Sequence, residues 1–131
     1  MVFTVPSAQD RGLQLLREGS VAEGIEFLLQ AVAEDPADVD LYLYLAYAYA
    51  RQGDFEKSIG ILQQAIDVAP ESAKAHYNLG VAYHKAHNLT QAKEEYLRAV
   101  DLDPDYSAAK AALEMVTGSP EGSSEADSGP T

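Results

Sequence analysis

Residues 41–50 read LYLYLAYAYA, ten uncharged residues that carry Tyr42, Tyr44, Tyr47 and Tyr49, half of the eight tyrosines in the chain. Alone, this alternation fits a strand as well as a helix, because a short apolar run cannot be assigned by periodicity. As a helix, a step of ~100° per residue puts Tyr42, Leu45 and Tyr49 on one face and Tyr44 and Tyr47 roughly opposite. The surrounding sequence decides between the two.

Outward from this run the chain repeats itself. Pro36, Pro70 and Pro104 are spaced by 34 residues, and so are Ala31, Ala65 and Ala99. Such a period marks stacked supersecondary units rather than a single closed core. It divides the sequence into units at 5–38, 39–72 and 73–106, preceded by an extension at 1–4. Each unit holds an apolar-periodic segment, a turn, a second such segment and a turn with proline. The mid-unit turns are Glu18-Gly19-Ser20, Gln52-Gly53-Asp54 and His87-Asn88, where glycine or asparagine tolerates a left-handed conformation and Ser20 and Asp54 are placed to cap the next helix. The prolines end the second helices, because the residue before proline is pushed out of helical geometry.

This register makes residues 39–52 the first helix of the middle unit, so the strand reading fails. First helices are expected near 7–18, 39–52 and 73–86, and second helices near 21–33, 55–68 and 89–102. Residues 107–117 restart the first-helix pattern once, as a capping helix. Glu114 there takes the place of Gly12, Ala46 and Gly80, which suits an end onto which no further helix packs. Residues 118–131 have no large apolar side chain and three acidic ones, the composition of a disordered acidic tail.

The middle unit supplies Tyr42, Leu45, Ala46, Tyr49, Ser58, Leu62, Ala65 and Pro70, and the third supplies His76, Leu79, Gly80, Tyr83, Ala92, Tyr96, Ala99 and Pro104. In this order and spacing they resemble the tetratricopeptide repeat. The first unit agrees at Gly12, Leu15, Gly24, Leu28, Ala31 and Pro36 but has Ala8 and Arg11 where bulky residues are usual. The resemblance implies an all-α fold, a right-handed superhelical α-solenoid of three helix-turn-helix hairpins with a C-terminal capping helix, its first helices lining a concave side. Small residues where helices cross and large ones between them give that pattern a packing basis.

Composition narrows the function. With 21 acidic residues against nine basic ones the formal charge is −12, which disfavours nucleic acid and anionic membrane as partners. There is no cysteine, so disulfides and thiolate chemistry are absent. No apolar run approaches the ~20 residues that span a bilayer, and the start MVFTVPSAQDRG lacks a basic segment followed by an apolar core. A cytoplasmic protein without membrane insertion is therefore expected.

The resemblance places function on the concave face. There the sequence offers Arg17, Leu43, Tyr44, Tyr47, Arg51, Lys74, Tyr77, Asn78, Val81 and Lys85, with Leu13 as a further apolar neighbour. Tyrosines give large contact area at low rotamer cost. Arg17, Arg51 and Lys85 recur at the 34-residue period as a cationic row. A peptide with aromatic or aliphatic anchors and some acidic groups suits such a groove. The plainer reading of the row is complementarity to helix C-termini, since each cation sits in the last turn of a first helix.

One subclass of the family grips the acidic carboxyl terminus of heat-shock chaperones with a clamp of lysines, asparagines and an arginine. The corresponding residues here are Gln9, Leu13, Tyr44, Lys74 and Asn78, of which only Lys74 agrees, so the clamp is not expected. His84 and His87 stand three apart but have no third metal ligand nearby, and no catalytic constellation or cofactor motif emerges. The expected function is a non-enzymatic protein-interaction scaffold without cofactor. Two alternatives stay open: a structural protein that associates with itself, and an accessory or adaptor domain of a larger enzyme or secretion complex.

Overall fold

The computed structural model describes residues 4–118, which form seven helices and no strand. These are α1 (Ala8–Arg17), α2 (Val21–Glu34), α3 (Val39–Arg51), α4 (Phe55–Val68), α5 (Ala73–Lys85), α6 (Leu89–Leu102) and α7 (Ser107–Val116). LYLYLAYAYA lies inside α3. The helices fall into two compact units, Met1–Pro70 with α1 to α4 and Glu71–Thr131 with α5 to α7.

The ends of the helices follow from their residues. Ser7, Asp38, Asp54 and Ser72 accept hydrogen bonds from backbone N–H groups of the first turns of α1, α3, α4 and α5. Ser20 stands at the same place before α2 but makes no such bond, contrary to the expected cap. The first helices all end the same way: Ser20, Asp54 and Asn88 donate their N–H to the carbonyls of Leu15, Tyr49 and Tyr83. That closure needs a left-handed residue just before the donor. Gly19 and Gly53 supply it with φ of 88° and 80°, and in the third turn it is His87, with φ 66°, rather than Asn88. Each second helix ends on a residue pushed out of helical geometry before proline, Asp35, Ala69 and Asp103.

In the first unit Leu16, Ile25, Leu28, Leu45 and Ala48 form a core cluster against which Tyr44, Tyr49 and Ile61 pack. α1 and α2 approach so closely that a methyl group on Gly12 would lie 2.8 Å from Leu28 Cγ, and one on Gly24 would lie 3.0 Å from the Gly12 carbonyl oxygen. At the corresponding crossing of α3 and α4, Ser58 is buried and its hydroxyl donates to the Ala46 carbonyl at 2.9 Å. Tyr42, also buried, donates to the Pro36 carbonyl at 2.8 Å and ties α3 to the preceding turn.

In the second unit the ring of Tyr96 lies over Gly80, with Leu79, Ala82 and Tyr83 buried on the same helix. His76 is buried too, its Nδ1 2.8 Å from Glu95 Oε1. A carboxylate only accepts, so Nδ1 carries the proton. On α7 Ala109 is buried while Glu114 and Met115 are exposed. The sequence expectations for an extension at 1–4 and a tail at 118–131 fall outside the described residues, apart from residues 4 and 118.

Candidate functional site

α1 and α3 turn Leu13, Leu16, Arg17, Tyr44, Tyr47 and Arg51 toward one another around an open depression of ≈ 470 Å³. The ~3.6-residue turn explains the selection on α1, where positions 13, 16 and 17 share a face. Leu16 is buried and forms the floor with half-buried Leu13. Tyr44 is half-buried because it wedges against the core cluster, whereas Tyr47 is 59% exposed.

The two arginines differ. Arg51 Nη1 donates to the Leu16 carbonyl at 2.8 Å, and its guanidinium lies 5.9 Å from the centroid of the Tyr47 ring. It thus meets the electron-rich C-terminal end of α1, a neighbouring helix rather than its own, and lies over the face of Tyr47 at the same time. Arg17 is exposed and makes no hydrogen bond, ion pair or ring contact with another described residue.

Leu43, chosen from the sequence as a neighbour of these tyrosines, does not line the depression; it is 7% exposed. Leu13 and Leu16 take that part. Their spacing from Arg17 on α1 carried the signal, which was weak because leucines of an amphipathic helix read equally well as core.

Lys74, Tyr77, Asn78, Val81 and Lys85 lie on α5 in the second unit. Tyr77 is half-buried, its ring centroid 5.1 Å from that of Tyr106 and 5.9 Å from that of Tyr96. His84 meets Tyr96 edge-on at 6.5 Å. Tyr77 is therefore a packing residue of this unit as well as a surface one. Burial, with a smaller contribution from the Tyr77 phenol, pushes the Tyr96 hydroxyl from the usual 10 up to about 12. Burial also raises that of Tyr106, with Tyr77 and Asp103 adding to it. Asn78 and Val81 are half-buried, and Lys74 and Lys85 are exposed.

Among the described residues, no three His, Asp or Glu side chains come together as metal ligands, and no helix is long and apolar enough to cross a membrane. The first-unit depression is lined by leucine and tyrosine side chains with two cations, Arg17 and Arg51.

Known proteins resemble this chain in sequence and fold. The Hsp70-Hsp90 organising protein of Plasmodium falciparum is 27% identical over 108 residues, 82% of this chain and 43% of that protein. The PEX5-related protein of Mus musculus is 28% identical over 101 residues, 77% of this chain and 18% of that protein. The chain thus spans less than half the length of these curated relatives. Among solved structures, the second TPR domain of human RPAP3, determined in complex with the HSP70 peptide SGPTIEEVD, superposes with a TM-score of 0.78 at 27% identity, covering 85% of this chain and 92% of that one. Models of the tetratricopeptide repeat match residues 15–67 and 45–107, and the chain belongs to the tetratricopeptide repeat family.

Proposed function

We propose that this protein is a non-enzymatic interaction scaffold that takes a peptide segment of a partner protein into the depression between α1 and α3. The observation that carries this reading is the depression itself, ≈ 470 Å³ with an aliphatic floor, an exposed Tyr47 and an uncommitted Arg17. Its size lies within the roughly 300–1,000 Å³ of ligand clefts, and the aromatic and arginine side chains at its edge are the types that dominate binding energy in interfaces. Helices hold all six lining residues, so little ordering entropy is spent on binding.

The peptide complex of RPAP3 supports a peptide as the occupant, since that domain binds an HSP70 segment in a similar fold. The mode proposed here differs from the terminal-carboxylate clamp. Two of the polar clamp positions hold Leu13 and Tyr44, both of which line the depression. An apolar pair at that place favours side-chain anchoring over capture of a chain end.

The test compares affinity capture from a cell extract by the wild-type chain and by Tyr47→Ala. Tyr47 is the suitable target because Tyr44 also supports the core. The substitution leaves far-UV circular dichroism and melting unchanged and removes captured proteins. An identical captured set would sink the proposal.

A further inference from the structure

Resting on that reading, we infer that the occupant is a segment internal to a partner chain, with one aliphatic or aromatic side chain seated on Leu13 and Leu16 and one carboxylate about two residues away held by Arg17. Only cations charge the lining of the depression, Arg17 and Arg51. Arg51 is committed to the Leu16 carbonyl and to the face of Tyr47, so it builds the wall. Arg17 keeps its fork of donors for an incoming carboxylate, which it can hold bidentately.

The spacing follows from α1. Leu13 and Arg17 stand one helical turn apart, about 5–6 Å along the axis. An extended peptide advances about 3.3 Å per residue, so two residues bridge that distance. The chain's charge of −12 limits the number of acids. A strongly acidic tract is repelled at long range, while one carboxylate within the screening distance of ~8 Å at physiological salt is drawn by Arg17. The selected chemistry is thus an apolar anchor with a single acid beside it, and not a polyacidic or terminal-carboxylate motif.

Random dodecapeptides displayed with their C-termini fused to a carrier lack a free terminal carboxylate and supply the probe. The wild-type chain is expected to enrich peptides with Leu, Ile or Phe two residues from Asp or Glu. Changing that acid to its amide in the synthetic peptide should weaken binding to wild type by about tenfold, the effect of one charge-assisted hydrogen bond, and leave binding to Arg17→Gln unaltered. Arg17→Gln keeps the wild-type melting temperature, whereas Arg51→Gln lowers it, which separates the reading residue from the wall. Enriched peptides without an acid, or peptides that bind Arg17→Gln as tightly as wild type, would overturn the inference while leaving the scaffold function standing. Failure to enrich any peptide over Tyr47→Ala would remove both.

Discussion

The same substitution, glycine to alanine, should act with opposite sign at two helical positions. A methyl group on Gly80 would lie 2.5 Å from Cε1 and 2.6 Å from Cδ1 of Tyr96, distances that no side chain tolerates without displacement. The ring cannot move easily, because Tyr96 is 1% exposed and walled by Tyr77 and His84. Overpacking of this kind costs about 1–3 kcal/mol, toward the upper end for a pinned ring, and the helix propensity of alanine returns about 1 kcal/mol. Gly80→Ala should therefore lose about 1–2 kcal/mol net. Gly60 lies in the interior of α4, and nothing stands within 4 Å of a methyl group placed there. Gly60→Ala should gain about 0.5–1 kcal/mol from propensity alone. Urea unfolding followed by circular dichroism at 222 nm reads both, the first midpoint falling by about 1 M and the second rising by a fraction of that. A Gly80→Ala protein as stable as wild type would refute the packing of Tyr96 on α5.

Two further outcomes follow from single residues. His87 occupies a left-handed conformation that costs a side chain with a Cβ about 1 kcal/mol, so His87→Gly should raise the thermal midpoint by a few degrees; a lowered midpoint would contradict the turn geometry. Tyr96 holds its proton more tightly folded than unfolded, with a value of about 12 against 10, so its contribution is present in full below pH 10 and is lost as pH rises toward 12. The loss amounts to up to about 2–3 kcal/mol, and Tyr96→Phe should flatten it. Absorbance at 295 nm combined with unfolding at each pH checks this. Equal alkaline destabilisation of both proteins would count against a buried Tyr96 phenol.

The 34-residue period of proline and alanine was enough to turn LYLYLAYAYA from an ambiguous run into α3, because stacked hairpins must repeat their contacts and therefore their residues. Leu45, Leu62 and Tyr96 are buried for the same reason. What the period cannot carry is the state of an individual side chain. Tyr44 and Tyr47 look alike in the sequence, yet one wedges into the core cluster and the other is exposed. Arg17 and Arg51 occupy the same slot, but only Arg51 has a preceding first-helix C-terminus among the described residues to donate to. The contact of His76 with Glu95 spans two helices and depends on their rotation, which no spacing rule specifies. Ser20 has the identity of a cap without its bond, although Asp54 makes one at nearly the same backbone angles, a difference that no sequence rule specifies.

The proposed function requires a partner segment to lie between α1 and α3. The most direct measurement is a series of ¹H–¹⁵N correlation spectra of the labelled chain, titrated with a dodecapeptide selected as above. The largest shifts are expected on the amides of Leu13, Leu16, Arg17, Tyr44, Tyr47 and Arg51. Shifts confined to α2, α4 and α6, with those six amides unmoved, would contradict it.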